Sequence, residues 1–179
     1  MEKKLELMLA GFGGQGILFA GKLVAYCGLL EDKEVSWLPS YGPEMRGGTC
    51  NCSVCISDEP IGSPQMLTPN ALIVMNQPSL EKFIDTVVPG GVVLVDSSIV
   101  NAQVKRQDIT VYYVPASKIA EENGLKGMAN IVLVGKLLQA TKFATKESAI
   151  AAVSKVVPPR KANLIDSNIK ALALGYEYK

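Results

Sequence analysis

The sequence predicts a single α/β domain over residues 1–179, Rossmann-like, with a mostly parallel sheet and helices on both faces. Three observations predict this fold. Short apolar runs typical of buried strands alternate with stretches of helical periodicity. A glycine-rich turn at 11–16 separates the first apolar run from the first helical stretch. A length of 179 residues, without internal repeats or low-complexity segments, suits one domain.

The first elements form a strand, a turn and a helix. Residues 5–10 are an apolar run that reads as a buried strand, and residues 17–30 set apolar and small side chains on one helical face. A short strand is predicted at 34–38, and alternation predicts another at 49–56. We expect this last strand to pair at a sheet edge or with the strand that follows it.

The remaining elements continue the α/β pattern. A continuous apolar strand at 71–75, a helix from Pro78 to about Val87 and a buried strand at 92–96 make a β–α–β unit, typical of a parallel sheet. The last strand is predicted at 110–114. Four helices follow from their apolar spacing, at 116–122, 128–140, 146–157 and 165–174.

Composition and charge exclude several functions. The net charge of +1, with scattered lysines and arginines, gives no basic patch for nucleic acid. Histidine is absent, which removes the commonest general base and metal ligand. The apolar run at 5–10 reads as a strand and not as a signal peptide, and no run approaches the roughly 20 residues of a membrane span. We expect a cytoplasmic protein with no nucleic-acid or membrane partner.

The glycine-rich turn is the first candidate site, through Gly11, Gly13, Gly14, Gln15 and Gly16. Its glycines permit a tight turn and close backbone approach, which leaves free N–H groups at a helix N-terminus facing an anion. The alternative is a purely structural turn that brings strand and helix together. Both interpretations stay open from the sequence.

A nicotinamide dinucleotide is disfavoured as the ligand of this turn. Its ribose is normally bound by an acidic residue at the end of the second strand, about 20 residues further on. Glu34 lies near that count but begins its strand, so it belongs at the wrong end of the sheet. Arg46 lies beyond the place expected for a residue that binds a phosphorylated ribose.

The loop after the second strand is the second candidate site, because it gathers Tyr41, Glu44 and Arg46 before Gly47 and Gly48. A guanidinium group can grip a carboxylate or phosphate with two hydrogen bonds. The alternative is an internal pair between Glu44 and Arg46 that holds the loop in shape.

Cys50, Cys52 and Cys55 invite a metal or iron–sulfur interpretation that their spacing disfavours. On a strand, Cys50 and Cys52 share one face while Cys55 points to the other, so the three sulfurs cannot converge on one ion. Small buried cysteines are the favoured interpretation. Without an export signal, disulfides are not expected for these residues or for Cys27.

Three polar residues elsewhere have open roles. Asp96 and Ser97 close a buried strand, where an α/β sheet places ligand contacts but where an aspartate also caps the next segment. Asn130 lies near the start of an apolar helix, so capping is favoured over contact with a ligand.

Four segments together resemble the gamma subunit, or the equivalent fused domain, of 2-oxoacid:ferredoxin oxidoreductases. They are Gly11-Phe-Gly-Gly-Gln-Gly16, Ser40-Tyr-Gly-Pro-Glu-Met-Arg-Gly-Gly-Thr49, Ser57-Asp-Glu-Pro-Ile61 and Asn-Ile-Val-Leu-Val-Gly from Asn130. The second segment is the most specific. Cys50 and Cys55 depart from the small or aliphatic residues expected in the family.

The resemblance implies a complex that turns a 2-oxoacid and CoA into acyl-CoA and CO2 and passes electrons to ferredoxin. Thiamine diphosphate supplies the carbanion chemistry in such enzymes. This sequence has neither a Gly-Asp-Gly motif nor a ferredoxin cysteine series. Thiamine diphosphate, Mg and iron–sulfur clusters are therefore expected on alpha, beta and possibly delta partner subunits.

For this chain the resemblance implies binding without catalysis: no catalytic residue and no metal ligand is expected. The glycine turn would face the phosphates of CoA, and the loop of Tyr41, Glu44 and Arg46, with Asn130, would face substrate or a neighbouring chain. Two alternatives stay open, the small subunit of indolepyruvate:ferredoxin oxidoreductase and a non-enzymatic nucleotide-binding regulatory module.

Overall fold

The computed structural model describes residues 4–40 and 49–179. These ranges contain one six-stranded sheet. Its strands are β1 (Leu5–Phe12), β2 (Glu34–Ser40), β3 (Thr49–Ser57), β4 (Ala71–Val74), β5 (Val92–Asp96) and β6 (Thr110–Val114). The α-helices are α1 (Ile17–Leu29), α2 (Gln77–Phe83), α3 (Ala116–Glu122), α4 (Ala129–Thr141), α5 (Lys146–Val156) and α6 (Ile165–Glu177). Short 3₁₀ turns follow α2 at Ile84–Thr86 and precede α6 at Pro159–Leu164.

The strand order is β2-β3-β1-β4-β5-β6, and β1, β4, β5 and β6 pair in parallel. This confirms the predicted α/β, mostly parallel fold. The expected pairing of β3 was wrong, because β3 is neither an edge strand nor paired with β4. It lies antiparallel between β1 and β2. Strand alternation predicts which side chains share a face, whereas the neighbours of a strand depend on contacts far away in sequence.

Helices cover both faces of the sheet unequally. Five helices pack on the face where β1 presents Leu7 and Leu9, and they form the larger core. On the other face, α2 and the segment 97–109 cover a smaller core around Leu72 and Val93. The shift from one face to the other occurs between β1, which continues into α1, and β4, which continues into α2.

Glycines bring α4 and α6 into backbone contact. A side-chain carbon on Gly135 would collide with the carbonyl oxygen of Leu172, and one on Gly175 would collide with the carbonyl oxygen of Val132. Since only glycine lacks a Cβ atom, these positions permit the close approach. Asn130 lies in the first turn of α4.

The parallel strands give the sheet two different ends. The strands β1, β4, β5 and β6 all end at the edge that carries the glycine turn. Open α/β sheets bind ligands at such an edge, where neighbouring strands continue to opposite faces. Glu34 pairs with Ser57 at the other edge, which confirms that it lies far from the turn.

Candidate functional site

The glycine turn joins β1 directly to α1 and needs two left-handed residues. Gly14 has φ +92° and Gly16 has φ +74°, a region that side-chain-bearing residues rarely adopt. Gly16 is the N-cap of α1, and the first turn of that helix contains no acidic residue. The first N–H groups of a helix lack intrahelical acceptors and carry partial positive charge. The turn can therefore bind an anion through its backbone.

Gln15 fixes the turn to the neighbouring strand. Its Oε1 accepts a hydrogen bond from the Phe12 N–H at 2.6 Å, and its Nε2 donates to the Met75 carbonyl oxygen at 2.9 Å. Met75 follows the last residue of β4, so one amide ties together the ends of two parallel strands. Since the side chain is engaged at both ends, we interpret Gln15 as a residue that positions the turn.

Asn130 holds the other end of the turn. Its Nδ2 donates to the Gly16 carbonyl oxygen at 2.9 Å, across 114 positions of sequence. The favoured capping role was wrong, because α4 has no side-chain cap and begins after Met128. Asn130 is only 4% exposed, and its Oδ1 has no hydrogen-bond partner among residues 4–40 and 49–179. A buried amide oxygen without a partner is costly.

A cavity of about 630 Å³ opens beside the turn, which we call the switch-point cavity. Gly14, Gln15 and Met75 line it from the sheet, and Ser117, Glu121 and Lys126 are its other polar side chains. The volume lies within the roughly 300–1,000 Å³ of small-molecule sites. Lys126 and Glu121 are exposed, so the opening carries one charge of each sign.

Asp96 acts as a cap. Its Oδ2 accepts from the Ser117 hydroxyl at 2.6 Å, and its Oδ1 accepts from the N–H groups of Ser98 at 3.1 Å and Ser117 at 3.3 Å. The carboxylate is fully buried, which leaves no direct route to a ligand. Of the two roles left open, the structure therefore supports capping, both of the turn after β5 and of the start of α3. Ser117 belongs to this hydrogen-bond network and also lines the switch-point cavity.

The predicted loop of Tyr41, Glu44, Arg46, Gly47 and Gly48 lies outside the described residues. Its flanks are described: Ser40 pairs with Asn51, and Thr49 pairs with Phe12, the second residue of the glycine turn. Both flanks therefore lie at the end of the sheet that carries the glycine turn.

The cysteines of β3 divide between faces as predicted. Cys50 and Cys52 belong to the core under α1, whereas Cys55 does not belong to that core and pairs with Glu6. The Cys52 thiol donates to the Ile17 carbonyl oxygen at 3.6 Å, and burial raises its pKa to about 12. Burial, with a smaller contribution from Glu31, also raises the pKa of Cys27 to about 12. The interpretation as small buried side chains is confirmed.

The described part of the chain contains neither a candidate metal site nor a helix suited to cross a membrane. No group of three or more His, Cys, Asp or Glu side chains within it could hold a metal ion. Among its helices, none has the length and apolar character needed to cross a membrane.

Sequence reasoning missed Ser117, Glu121 and Lys126, which reach the site from the α3–α4 region. One signal was available, because Gly124 and Gly127 bracket Lys126 and both have positive φ, +69° and +79°. Closely spaced glycines mark a turn, although the sequence does not say which edge of the sheet that turn meets.

Comparison with known proteins places the chain in a family. The profile of the family described as "pyruvate ferredoxin/flavodoxin oxidoreductase" matches residues 6–178. The chain belongs to this family. The resemblance found in the glycine turn and the following loop is thereby confirmed.

Two curated relatives differ in length. The chain is similar to ketoisovalerate oxidoreductase subunit VorA of Methanothermobacter thermautotrophicus, with 38% identity over 175 residues, which cover 98% of this chain and 36% of VorA. It is also similar to 2-oxoglutarate synthase subunit KorC of Methanocaldococcus jannaschii, with 39% identity over 180 residues, which cover 99% of this chain and 95% of KorC. The chain thus spans about a third of VorA and nearly all of KorC.

A solved structure supports the fold. The crystal structure of the keto/oxoacid ferredoxin oxidoreductase gamma subunit from Geobacter sulfurreducens matches with a TM-score of 0.83 and 31% identity. The match covers 97% of this chain and 96% of that subunit. The α/β fold is therefore that of a gamma subunit.

Proposed function

We propose that the chain is the gamma subunit of a thiamine-dependent 2-oxoacid:ferredoxin oxidoreductase. The observation that carries this proposal is the 39% identity to KorC over almost the full length of both chains. The complex would oxidatively decarboxylate a 2-oxoacid, transfer the acyl group to CoA, and pass two electrons to ferredoxin with release of CO2. We expect this complex in the cytoplasm.

The chemistry would belong to partner subunits. Thiamine diphosphate, Mg and iron–sulfur clusters would sit on alpha, beta and possibly delta chains. The role of this chain would be to pack against the thiamine-bearing subunits and to help form the CoA site. On this proposal the isolated chain is inactive.

The glycine turn is the proposed contact for the CoA phosphates. Three features support this assignment. Gly14 is exposed and has open space where a side chain would lie, the N-terminus of α1 has no acidic residue in its first turn, and Lys126 lines the adjoining cavity. Backbone N–H groups at a helix N-terminus suit a diphosphate, and a nearby ammonium group adds attraction.

Arg46, with Glu44 and Tyr41, is proposed to contact substrate or a neighbouring subunit. The support is positional: the flanking residues Ser40 and Thr49 lie at the edge of the sheet that also carries the turn. We assign the substrate pocket mainly to other subunits, so these residues are expected to orient a ligand and not to react with it.

The relatives favour this function over the alternatives. Their names refer to ketoisovalerate and 2-oxoglutarate, and the solved relative is a gamma subunit. Neither the indolepyruvate oxidoreductase nor the stand-alone regulatory module has comparable support.

Purification in the native state tests the proposed assembly. A tagged chain should co-purify with larger subunits, and the complex should contain thiamine and iron. The complex should reduce a viologen dye with one of several 2-oxoacids in the presence of CoA, while the chain alone should not. A cofactor-free homo-oligomer, or dye reduction by the isolated chain, would contradict the proposal.

The CoA contact is tested by two matched substitutions in the complex. Gly14 and Gly90 both have positive φ and open space for a side chain, but Gly90 precedes β5 and lies at the opposite edge of the sheet. Gly14→Asp should raise the KM for CoA by about tenfold, because its carboxylate would repel the phosphates. Gly90→Asp should leave that KM unchanged. Equal effects of the two substitutions would remove the turn from the CoA site.

A further inference from the structure

On one side of the sheet, the helical cover found among the described residues stops at β1. The smaller core on that side includes Met8 of β1 but no residue of β2 or β3. On the opposite side, α1 packs against both β2 and β3. Strand register places Met8, Ser53 and Leu38 in one row across β1, β3 and β2, on the side away from α1. We call the surface formed by this row and the residues beside it the open sheet face.

The open sheet face is apolar and uncharged. It contains a cavity of about 360 Å³, whose lining includes Met8, Leu38, Asn51, Ser53, Met66 and Leu67. None of the described residues that line this cavity is charged. Leu38 is 41% exposed and Leu67 is 80% exposed, although both side chains are large and apolar. Exposed apolar side chains on an uncharged surface are typical of the core of a protein–protein interface.

This face extends to the glycine turn. Phe12 follows Met8 and Ala10 along β1 at two-residue spacing, so its side chain lies on the same side of the sheet. Phe12 is exposed, and its N–H donates to Gln15 within the turn. A protein that covers the open sheet face would therefore border the proposed contact for CoA.

The lengths of two relatives indicate what covers the face. The match covers 36% of VorA but 95% of KorC. In VorA, the matching region therefore shares one polypeptide with further chain about twice as long. Two domains of one polypeptide normally share an interface. KorC consists almost entirely of the matching region, so there the same contact would join separate subunits.

We propose that the open sheet face is the docking surface for the thiamine-bearing subunit of the complex. The proposal rests on the proposed function and adds which side of this chain makes the contact. Leu38 and Leu67 pack against apolar side chains of the partner, which offers an uncharged surface in return. A partner seated there also covers Phe12, and so brings the glycine turn next to the thiamine-bearing subunit.

Cysteine labelling of the assembled complex tests this surface. The four native cysteines are buried, and burial raises the pKa of Cys27 and Cys52 to about 12, so a maleimide should leave them unmodified. Leu67→Cys places a thiol on the open sheet face. Leu29→Cys is the matched control, because Leu29 is 51% exposed and ends α1, away from the glycine turn.

Assembly should slow the labelling of Leu67→Cys at least about tenfold, because the core of an interface packs as densely as a protein interior. Assembly should leave the labelling of Leu29→Cys unchanged. Protection of both thiols to the same degree would show general crowding by the complex and overturn the assignment of the open sheet face.

A charge substitution tests the apolar character of the contact. Leu67→Glu should bind the partner subunits at least about tenfold more weakly, because its carboxylate would be buried without a partner. Leu29→Glu should bind as wild type does. Both leucines are exposed, so both isolated variants should unfold at the same temperature as wild type. Equal binding by the two variants would overturn the proposal.

The outcomes separate this proposal from the proposed function. A thiamine-containing complex in which Leu67→Cys is labelled as fast as in the isolated chain would overturn the docking surface and leave the proposed function intact. Slow labelling of Leu67→Cys in the isolated chain, relieved by dilution, would overturn it in favour of a second copy of this chain. If the chain forms no thiamine-containing complex, both proposals fail.

Discussion

The Gln15 side-chain amide and the Met75 carbonyl oxygen are joined by a hydrogen bond of 2.9 Å. This bond links the turn after β1 to the end of β4, the two strands that continue to opposite faces of the sheet. The same side chain accepts a hydrogen bond from the Phe12 N–H. Gln15 therefore fixes the conformation of the turn and also attaches the turn to the end of β4. An anion bound at the turn would therefore meet a fixed set of N–H groups, which is what preorganised binding requires.

Gln15→Met should lower the free energy of unfolding by about 1–2 kcal/mol, since each of two hydrogen bonds contributes about 0.5–1.5 kcal/mol. The substitution keeps the length of the side chain and removes both bonds. Chemical denaturation measures the change. Gln103→Met is the control, because Gln103 is exposed and makes no side-chain hydrogen bond within the described residues. Equal stability of the two variants would show that the two Gln15 hydrogen bonds do not stabilise the fold.

Asp96→Asn should destabilise the fold by about 1–3 kcal/mol. An asparagine there can keep its Oδ1 on the N–H groups of Ser98 and Ser117 and donate from Nδ2 to the Ser117 hydroxyl. The three bonds would then be made to a neutral amide, and such bonds are roughly half as strong as those to a carboxylate. Thermal or chemical unfolding provides the measurement, and Asp85→Asn at an exposed site is the control. If Asp96→Asn unfolds at the same denaturant concentration as the control, Asp96 does not cap α3.

Gly175→Ala should destabilise the chain by about 1–3 kcal/mol or more, as expected for overpacking. Alanine normally stabilises a helix interior relative to glycine by about 1 kcal/mol, so packing against Val132 reverses the ordinary sign. Gly62→Ala is the control, because Gly62 has open space for a methyl group. A stabilised Gly175→Ala variant would mean that α4 and α6 separate easily.

Glu31 should make stability depend on pH in the acid range. Burial alone would raise the pKa of Glu31, but hydrogen bonds from Thr145 and Ser148 and the charge of Lys33 outweigh it and hold the pKa below its usual 4.5. Because the pKa is lower in the folded chain, the contribution is fully present above pH 4.5 and is lost as the pH falls below that value.

Unfolding free energies of wild type and Glu31→Gln, measured from about pH 3 to pH 7, check this expectation. The two curves should differ near neutrality and converge in acid. Glu34→Gln, at an exposed residue without an ion pair in the described chain, should run parallel to wild type. If the difference in unfolding free energy between wild type and Glu31→Gln stayed constant over the whole pH range, ionisation of the Glu31 carboxylate would not contribute to stability.

Much of the fold could be predicted because its signals are local. Strands β5 and β6 and helix α3 begin and end at the predicted residues, since alternation, apolar runs and flanking turns mark them. The glycine turn was found for the same reason, as its residues are contiguous. The division of the β3 cysteines between faces follows from the two-residue period of a strand.

The sequence by itself determined the succession of strands and helices, the position of the turn and the family motifs, because these depend on neighbours along the chain. The tertiary structure decided that β3 lies between β1 and β2, that Asn130 holds Gly16, and that Ser117 and Lys126 reach the same edge. Contacts such as Asn130 with Gly16 join residues 114 positions apart. No local pattern encodes such contacts, since they depend on how whole helices pack onto the sheet.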